Sequence, residues 1–253
     1  MRFDEIEREM RIYESAHDHH VLPHLFIVVR LDGRNFTRLT KETHDFEAPF
    51  DERVRDMMID TTKHLLESGP RVLFAYTQSD EISLLLHRDE DIFNRKLRKF
   101  NSIMAGEASA KFSLLLEDMA SFDCRVSQLP TEETVIDYFR WRQEDAHRNA
   151  LNAHCYWMLR KENHAPNAAH DIMKGMNESD KNELLMANGI NYNNVPAWQK
   201  RGVGLYWHNY EVAGKNPITD EDTVTTRREI VVNMNIPRGD IYEQFLIKRL
   251  QET

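Results

Sequence analysis

VLFAYTQSDEISLLL, residues 72–86, sets two apolar runs, 72–76 and 82–86, on either side of Gln78, Ser79, Asp80 and Glu81. Each run has strand length and the polar quartet between them is turn chemistry, so the stretch predicts a β-hairpin with a carboxylate pair at its bend. Adjacent residues of a strand point to opposite faces, which gives Asp80 and Glu81 different surroundings and different work. One of them is expected to face a site and the other to flank it.

A second stretch, LFIVVRLDGRNFT at 25–37, reads as a buried strand that ends in Asp32 and Gly33. A carboxylate at a strand end, followed by a glycine that lets a ligand approach the backbone, is a way to hold a divalent ion beside a phosphate. Each segment taken alone is equally an ordinary turn, since Asp-Gly and Ser-Asp are turn formers.

The elements between and after these two strands decide how they meet. Behind Pro49, Asp51 is placed to cap a helix whose apolar face is Val54, Met58, Thr61 and Leu65, and Gly69-Pro70 stops it. After the hairpin, residues 91–119 carry Phe93, Leu97, Phe100, Met104, Ala108, Phe112, Leu115 and Met119 at helical spacing, and 123–129 is a strand ended by Pro130. The order is β-α-β-β-α-β, the ferredoxin-like split unit: an α+β fold with an antiparallel sheet and two helices on one side. Its first and third strands are central neighbours, so Asp32 meets the Asp80-Glu81 pair. Carboxylates gathered there can hold two Mg²⁺ ions for phosphoryl chemistry.

The chain has 253 residues, 41% of them hydrophobic, enough for a real core. The two cysteines, Cys124 and Cys155, are too few for a disulfide framework and have no metal-site spacing. Residues 1–15 lack the pattern of a signal peptide, and the apolar run 25–29 is too short to span a bilayer, so a cytoplasmic protein with no membrane partner is expected. A net charge of -9 argues against indiscriminate coating of nucleic acid. Basic clusters at Arg95, Lys96, Arg98 and Lys99, and around Lys200, Arg201, Arg227 and Arg228, read as solvated faces. Phe3, Ile6, Met10 and Tyr13 form one side of an amphipathic surface helix over 3–15. The His17, His19 and His20 cluster reads as loop rather than metal site.

Division at residue 130 leaves a catalytic part, 1–130, and a second part, 131–253, of helices and a β-hairpin that packs on it. Thr131 is a good cap for a long helix running to about residue 161. Arg142, Asp145, Asn149 and Asn152 form a polar row along it, spaced three, four and three. Arginine and asparagine suit bidentate recognition of phosphates or base edges, so the row is expected to serve such recognition rather than to face bulk water. Residues 180–186 read as a short helix, 190–194 as a polar loop, and 202–207 and 229–234 as strands of a terminal hairpin with a turn-rich connection over 211–222.

Five motifs, RLDGRNF (30–36), YTQSDEISL (76–84), WRQEDAHRNAL (141–151), DKNEL (180–184) and INYNN (190–194), together resemble the tRNAHis guanylyltransferase family. The likeness runs from about residue 13 to 207. It implies a polymerase-like palm as the catalytic domain and a homotetramer built as a dimer of dimers. The implied reaction is 3′-to-5′ nucleotide addition at the 5′ end of a tRNA, after ATP activates the 5′-phosphate unless a triphosphate is already there. GTP, ATP and other nucleoside triphosphates are the implied substrates. By matching position, Asp32, the Gly33 carbonyl and Asp80 are implied as Mg²⁺ ligands and Glu81 as an accompanying essential carboxylate. Asp32, Gly33, Arg34, Asn35, Phe36, Thr37, Ser79 and Asp80 are implied to line the triphosphate. Arg30, Asp51, Arg142, His147, Asn149, Lys181 and Asn191 match positions around nucleotide or tRNA.

Two departures refine the resemblance. Where eukaryotic members read His-Ile-Asn-Asn-Leu-Tyr-Asn, this chain reads HRNALNA at 147–153, nearer to the bacterial and archaeal "like" proteins that repair 5′-truncated tRNAs by templated addition. A lysine common before Asp51 is Ala48, which leaves the activation step open. Template-directed 5′-end repair is thus the main expectation and dedicated guanylate addition at position -1 of tRNAHis the alternative. A nucleotide cyclase on the same palm and a non-catalytic RNA-binding module are the remote rivals; the first would need no tRNA and the second would consume no triphosphate.

Overall fold

The computed structural model describes residues 2–215 and 222–251. Helix α1 (Phe3–Ser15) precedes strand β1 (Phe26–Gly33), which runs into a one-turn helix α2 (Phe36–Arg38) and a wide π turn at Leu39–Thr43. Helix α3 (Glu52–Glu67) leads to the hairpin of β2 (Val72–Gln78) and β3 (Glu81–Leu86). A short helix α4 (Leu97–Lys99), a second π turn (Phe100–Met104) and α5 (Ala105–Leu116) then return the chain to β4 (Phe122–Leu129). Beyond it lie α6 (Glu132–Lys161), α7 (Pro166–Met173), α8 (Glu178–Ala187), α9 (Ala197–Arg201), the hairpin of β5 (Val203–Lys215) and β6 (Asp222–Asn233), and α10 (Asp240–Gln251). Among the described residues no helix is long and apolar enough to cross a membrane.

The expected β-α-β-β-α-β order is present, and the sheet runs β4-β1-β3-β2-β5-β6 with antiparallel neighbours. Strands β1 and β3 are adjacent in a register that pairs Val28 with Leu85, Arg30 with Ser83 and Asp32 with Glu81. Alternation then sorts β1 into two faces. Ile27, Val29 and Leu31 pack with Met58, Leu65, Phe100 and Phe112 of the α3–α5 side, which is the expected pair of helices on one side. Phe26 and Val28 pack with Val135 and Phe139 of α6 and with Tyr242 and Leu246 of α10. The second face is therefore covered by α6 and α10 over its middle. A third cluster joins the far half of α6, through Leu151, Cys155 and Leu159, to Ala169, Leu185 and Tyr192.

Four expectations need correction. The helix foreseen from residue 91 starts only at Leu97, because Phe93, Asn94 and Arg95 take left-handed φ of 59°, 52° and 57°, which a right-handed helix cannot contain. Arg95 is no solvated charge either: its guanidinium donates to the carbonyls of Val21, Leu22, Leu25 and Glu90, and beside it Lys96 and Arg98 pair with Asp18. The terminal hairpin is longer than expected, since pairing continues from Gly204–Asn233 to Lys215–Asp222 and so takes in residues 211–215 and 222 of the expected turn; residues 216–221 lie outside those described. Nor is the hairpin the end of the fold, because α10 follows and buries Tyr242, Leu246 and Leu250. Helix α1 has the expected amphipathic pattern and buries none of its residues.

Candidate active site

The hairpin bend is a two-residue loop, Ser79 and Asp80, with Gln78 paired to Glu81 across it. Loops this short need a left-handed residue, which Ser79 supplies at φ 55°. The end of β1 docks on this bend: the Gly33 N–H donates to the Asp80 carbonyl at 3.0 Å. Glycine is required at 33 for a packing reason, since a Cβ there would lie 2.4 Å from the ring of Phe36. That ring is buried against Phe112 and Phe122, with centroids 5.0 Å away in each case, so the chain turns tightly just past Asp32.

Asp80 and Glu81 do part company. Glu81 accepts from Arg142 Nε and Nη2, both at 2.7 Å, and its Oε2 lies 2.6 Å from Arg30 Nη2. Arg30 also donates to Asp32 at 2.9 Å, and Arg142 to Asp145 at 3.0 Å. Glu81 is thus enclosed by two guanidinium groups and fastens α6 to the sheet. Asp80 has no ion pair among the described residues. Burial pushes its carboxyl up to about 6 against an opposing hydrogen bond from Ser79, with the charges of Asp32 and Glu81 adding to the rise.

Asp51 caps α3 as expected, accepting from the Arg53 N–H at 2.8 Å, and it also accepts from the Glu47 N–H at 2.8 Å. The Arg53 guanidinium, 2.6 Å away, holds the Asp51 carboxyl well below the usual carboxylate range. Its oxygens are occupied in shaping the 47–51 loop.

A cleft of about 400 Å³ opens where the sheet end, the 36–51 segment and α6 meet. Of the residues singled out from sequence, Arg30, Asp32, Phe36, Thr37, Asp51, Ser79, Asp80, Glu81, Arg142, Asp145 and Asn149 line it. Arg34 and Asn35 line a separate groove with Arg38 and Met119. His147 turns toward Glu178, at 3.4 Å, and the ring of Tyr192. The carbonyl of Lys181 accepts from Cys155, and Asn191 caps the turn at Tyr192–Asn194, so both belong to the distal helical cluster. Asn152 is half-buried outside the cleft, and the row that faces it instead continues from Asn149 to Ala153 and Trp157.

Sequence reading passed over several cleft residues: Lys41, Phe50, Arg55 and Trp198. Phe50 meets Trp198 edge-on at 6.0 Å, and Arg55 lies 4.8 Å above the same indole. Trp157 also lines the cleft, a step of four beyond Ala153 on the long helix.

The residues at the sheet end suit a divalent cation. Two neighbouring anions, one of them without a cation partner among the described residues, are what such an ion would neutralise. No cluster of three or more His, Cys, Asp or Glu with metal-site placement exists among the described residues. Two carboxylates are a hard, oxygen-only donor set that suits Mg²⁺, an ion that keeps several of its waters; Gly33, whose carbonyl the resemblance adds to them, is not among the residues lining the cleft. Glu81, with both oxygens taken by arginines, does not fit as a ligand.

Known proteins match this chain over nearly its whole length. The family model described as tRNAHis guanylyltransferase matches residues 7–130, and the model described as "Thg1 C terminal domain" matches 133–239. A probable tRNA(His) guanylyltransferase of Mus musculus is 34% identical over 201 residues, covering 75% of this chain and 67% of that one. Its counterpart in Dictyostelium discoideum is 33% identical over 241 residues, covering 89% and 91%. A solved bacterial tRNA(His) guanylyltransferase-like protein in complex with ATP superposes with a TM-score of 0.77 at 28% identity, over 97% of this chain and 99% of that one.

Proposed function

This chain belongs to the tRNAHis guanylyltransferase family, and from that membership we propose that it adds nucleotides to the 5′ end of tRNA in the 3′-to-5′ direction, guanylate on tRNAHis foremost. It is a nucleotidyltransferase of tRNA processing, and it binds nucleotides. The observation that supports the proposed site is the meeting of Asp32 and Asp80 at one end of a cleft whose other wall is the Arg142, Asp145 and Asn149 face of α6.

In this reading the 3′-hydroxyl of the incoming nucleotide attacks the activated 5′-phosphate of the tRNA and expels AMP or pyrophosphate. Asp32, Asp80 and the Gly33 carbonyl would hold Mg²⁺, proposed as two ions, which supply charge neutralisation at phosphate oxygens and a more acidic hydroxyl. The Arg30–Glu81–Arg142 chain fixes the carboxylate end against α6 and so sets the width of the cleft. Ser79 and Thr37 offer hydroxyl donors to phosphate oxygens, and Asp145 and Asn149 offer an acceptor and a donor to sugar or base. The exposed apolar face of α1, with Phe3, Ile6, Met10 and Tyr13, supports assembly of chains into the tetramer implied by the family, which sedimentation of the purified chain would test.

Guanylate addition to tRNAHis takes precedence over the repair reading because the relatives matched carry that activity in their names. Template-directed repair has its own support: a bacterial guanylyltransferase-like structure matched almost end to end, and the altered 147–153 stretch. Intact tRNAHis lacking its extra guanylate and 5′-truncated tRNAs should be offered side by side, with each nucleotide in turn. If the opposing base of a truncated tRNA is changed from C to A, a dedicated guanylyltransferase continues to add G, whereas a templated enzyme switches to U.

A further inference from the structure

Four residues lining the cleft carry a permanent or ordinary positive charge: Arg30, Lys41, Arg55 and Arg142. Three already have carboxylate partners. Arg30 is paired with Asp32 and Glu81, Arg142 with Glu81 and Asp145, and Arg55 with Glu52 and Asp56. Lys41 has none within ion-pair distance among the described residues; its ammonium donates to the Glu47 carbonyl. It projects from the π turn that follows β1 and borders both the carboxylate cleft and an adjoining groove with Arg160 and Lys161.

We propose that Lys41 is the phosphate-binding cation of this cleft, taking a phosphate group of the substrate while the three arginines remain committed to the protein's own carboxylates. This rests on the nucleotide-addition reading above. Arg30 and Arg142 can turn to a substrate only by withdrawing from the largely buried Glu81, which is costly, and Arg55, whose partners Glu52 and Asp56 are exposed, is held over the Trp198 indole. Lys41 gives up only a neutral carbonyl and exchanges it for a charge-assisted bond. Burial pulls its ammonium down from the ordinary lysine value while Asp51 and Glu47 hold it up, so an arriving phosphate would favour the charged form. Its place between the two cavities fits either source of phosphate, the triphosphate of the nucleotide or the 5′-phosphate of the RNA.

The test measures binding by the full chain and its Lys41→Met and Lys41→Arg variants, without turnover. GTP and guanosine form one pair of probes; tRNAHis transcripts with a 5′-phosphate and a 5′-hydroxyl form the other. Lys41→Met should lose about tenfold or more in affinity for one phosphate-bearing probe and nothing for its phosphate-free counterpart, and Lys41→Arg should recover most of the loss. Loss on GTP assigns Lys41 to the nucleotide, and loss on the phosphorylated transcript assigns it to the RNA end. Unchanged affinity of Lys41→Met for both phosphate probes overturns the proposal while leaving the nucleotide-addition reading intact. Equal loss on guanosine or on the hydroxyl transcript overturns it too, by showing a structural lysine. A wild-type chain that binds neither GTP nor tRNA overturns both.

Discussion

Glu81 receives both bonds of the Arg142 guanidinium, each at 2.7 Å, and that single contact ties the strand behind the hairpin bend to the helix that forms the opposite wall of the cleft. Because Arg30 reaches the same carboxylate, removing it takes the shared partner from two largely buried cations and leaves them only Asp32 and Asp145. Glu81→Gln should cost about 3 kcal/mol, in the range for breaking a buried pair from one side. Arg142→Ala should also melt lower, although the polar-row reading alone would have it act on substrate without touching stability. Denaturant titration of both single variants and the double variant checks this; additive losses would mean that the pair is not coupled.

Asp80 behaves oppositely. It is a partly buried anion beside Asp32 and Glu81 with no cation of its own, so its charge costs stability until something neutralises it. In metal-free buffer at neutral pH Asp80→Asn should melt at or above the wild-type temperature. Millimolar Mg²⁺ should raise the melting temperature of the wild type and leave that of Asp80→Asn nearly unchanged. A variant that melts far below wild type would mark Asp80 as a structural turn residue.

Asp51 contributes in a pH-dependent way. Its folded carboxyl is depressed by Arg53 and by two backbone N–H donors, so it stabilises fully above the unfolded carboxylate value and progressively less as pH falls through the folded one. The gap in melting temperature between wild type and Asp51→Asn should be widest at neutral pH and narrow progressively from about pH 5 down to about pH 2. A gap that is constant across that window would show the loss to be one of shape rather than charge.

What could be read from the chain beforehand follows from where local physics was strong. Thr131 with Thr134 caps α6, and a sustained apolar period carried the reading to its end at Lys161. The bend at Ser79 and Asp80, flanked by two buried strands, left one hairpin register. The cleft wall at Lys41 and Phe50 was illegible because 36–51 is a sequence of turns without period, positioned by Phe36 packing and by Asp51 hydrogen bonds that appear only in three dimensions. The outer halves of β5 and β6 are exposed and polar, so they lacked the alternation that betrays a half-buried strand. Helix α10 is different: Tyr242, Leu246 and Leu250 follow Gly239 at four-residue steps, a pattern present in the sequence and passed over.

The most direct test offers the wild-type chain and Asp80→Asn a 5′-phosphorylated tRNAHis transcript lacking the extra guanylate, together with ATP, Mg²⁺ and labelled GTP, and sequences the ends of the product. The account predicts a tRNA one nucleotide longer at its 5′ end with the wild type, and a loss of about a hundredfold to a thousandfold in rate with a folded Asp80→Asn, the scale of removing an essential electrostatic group. Label at the 3′ end, or Asp80→Asn turning over at the wild-type rate, would contradict it.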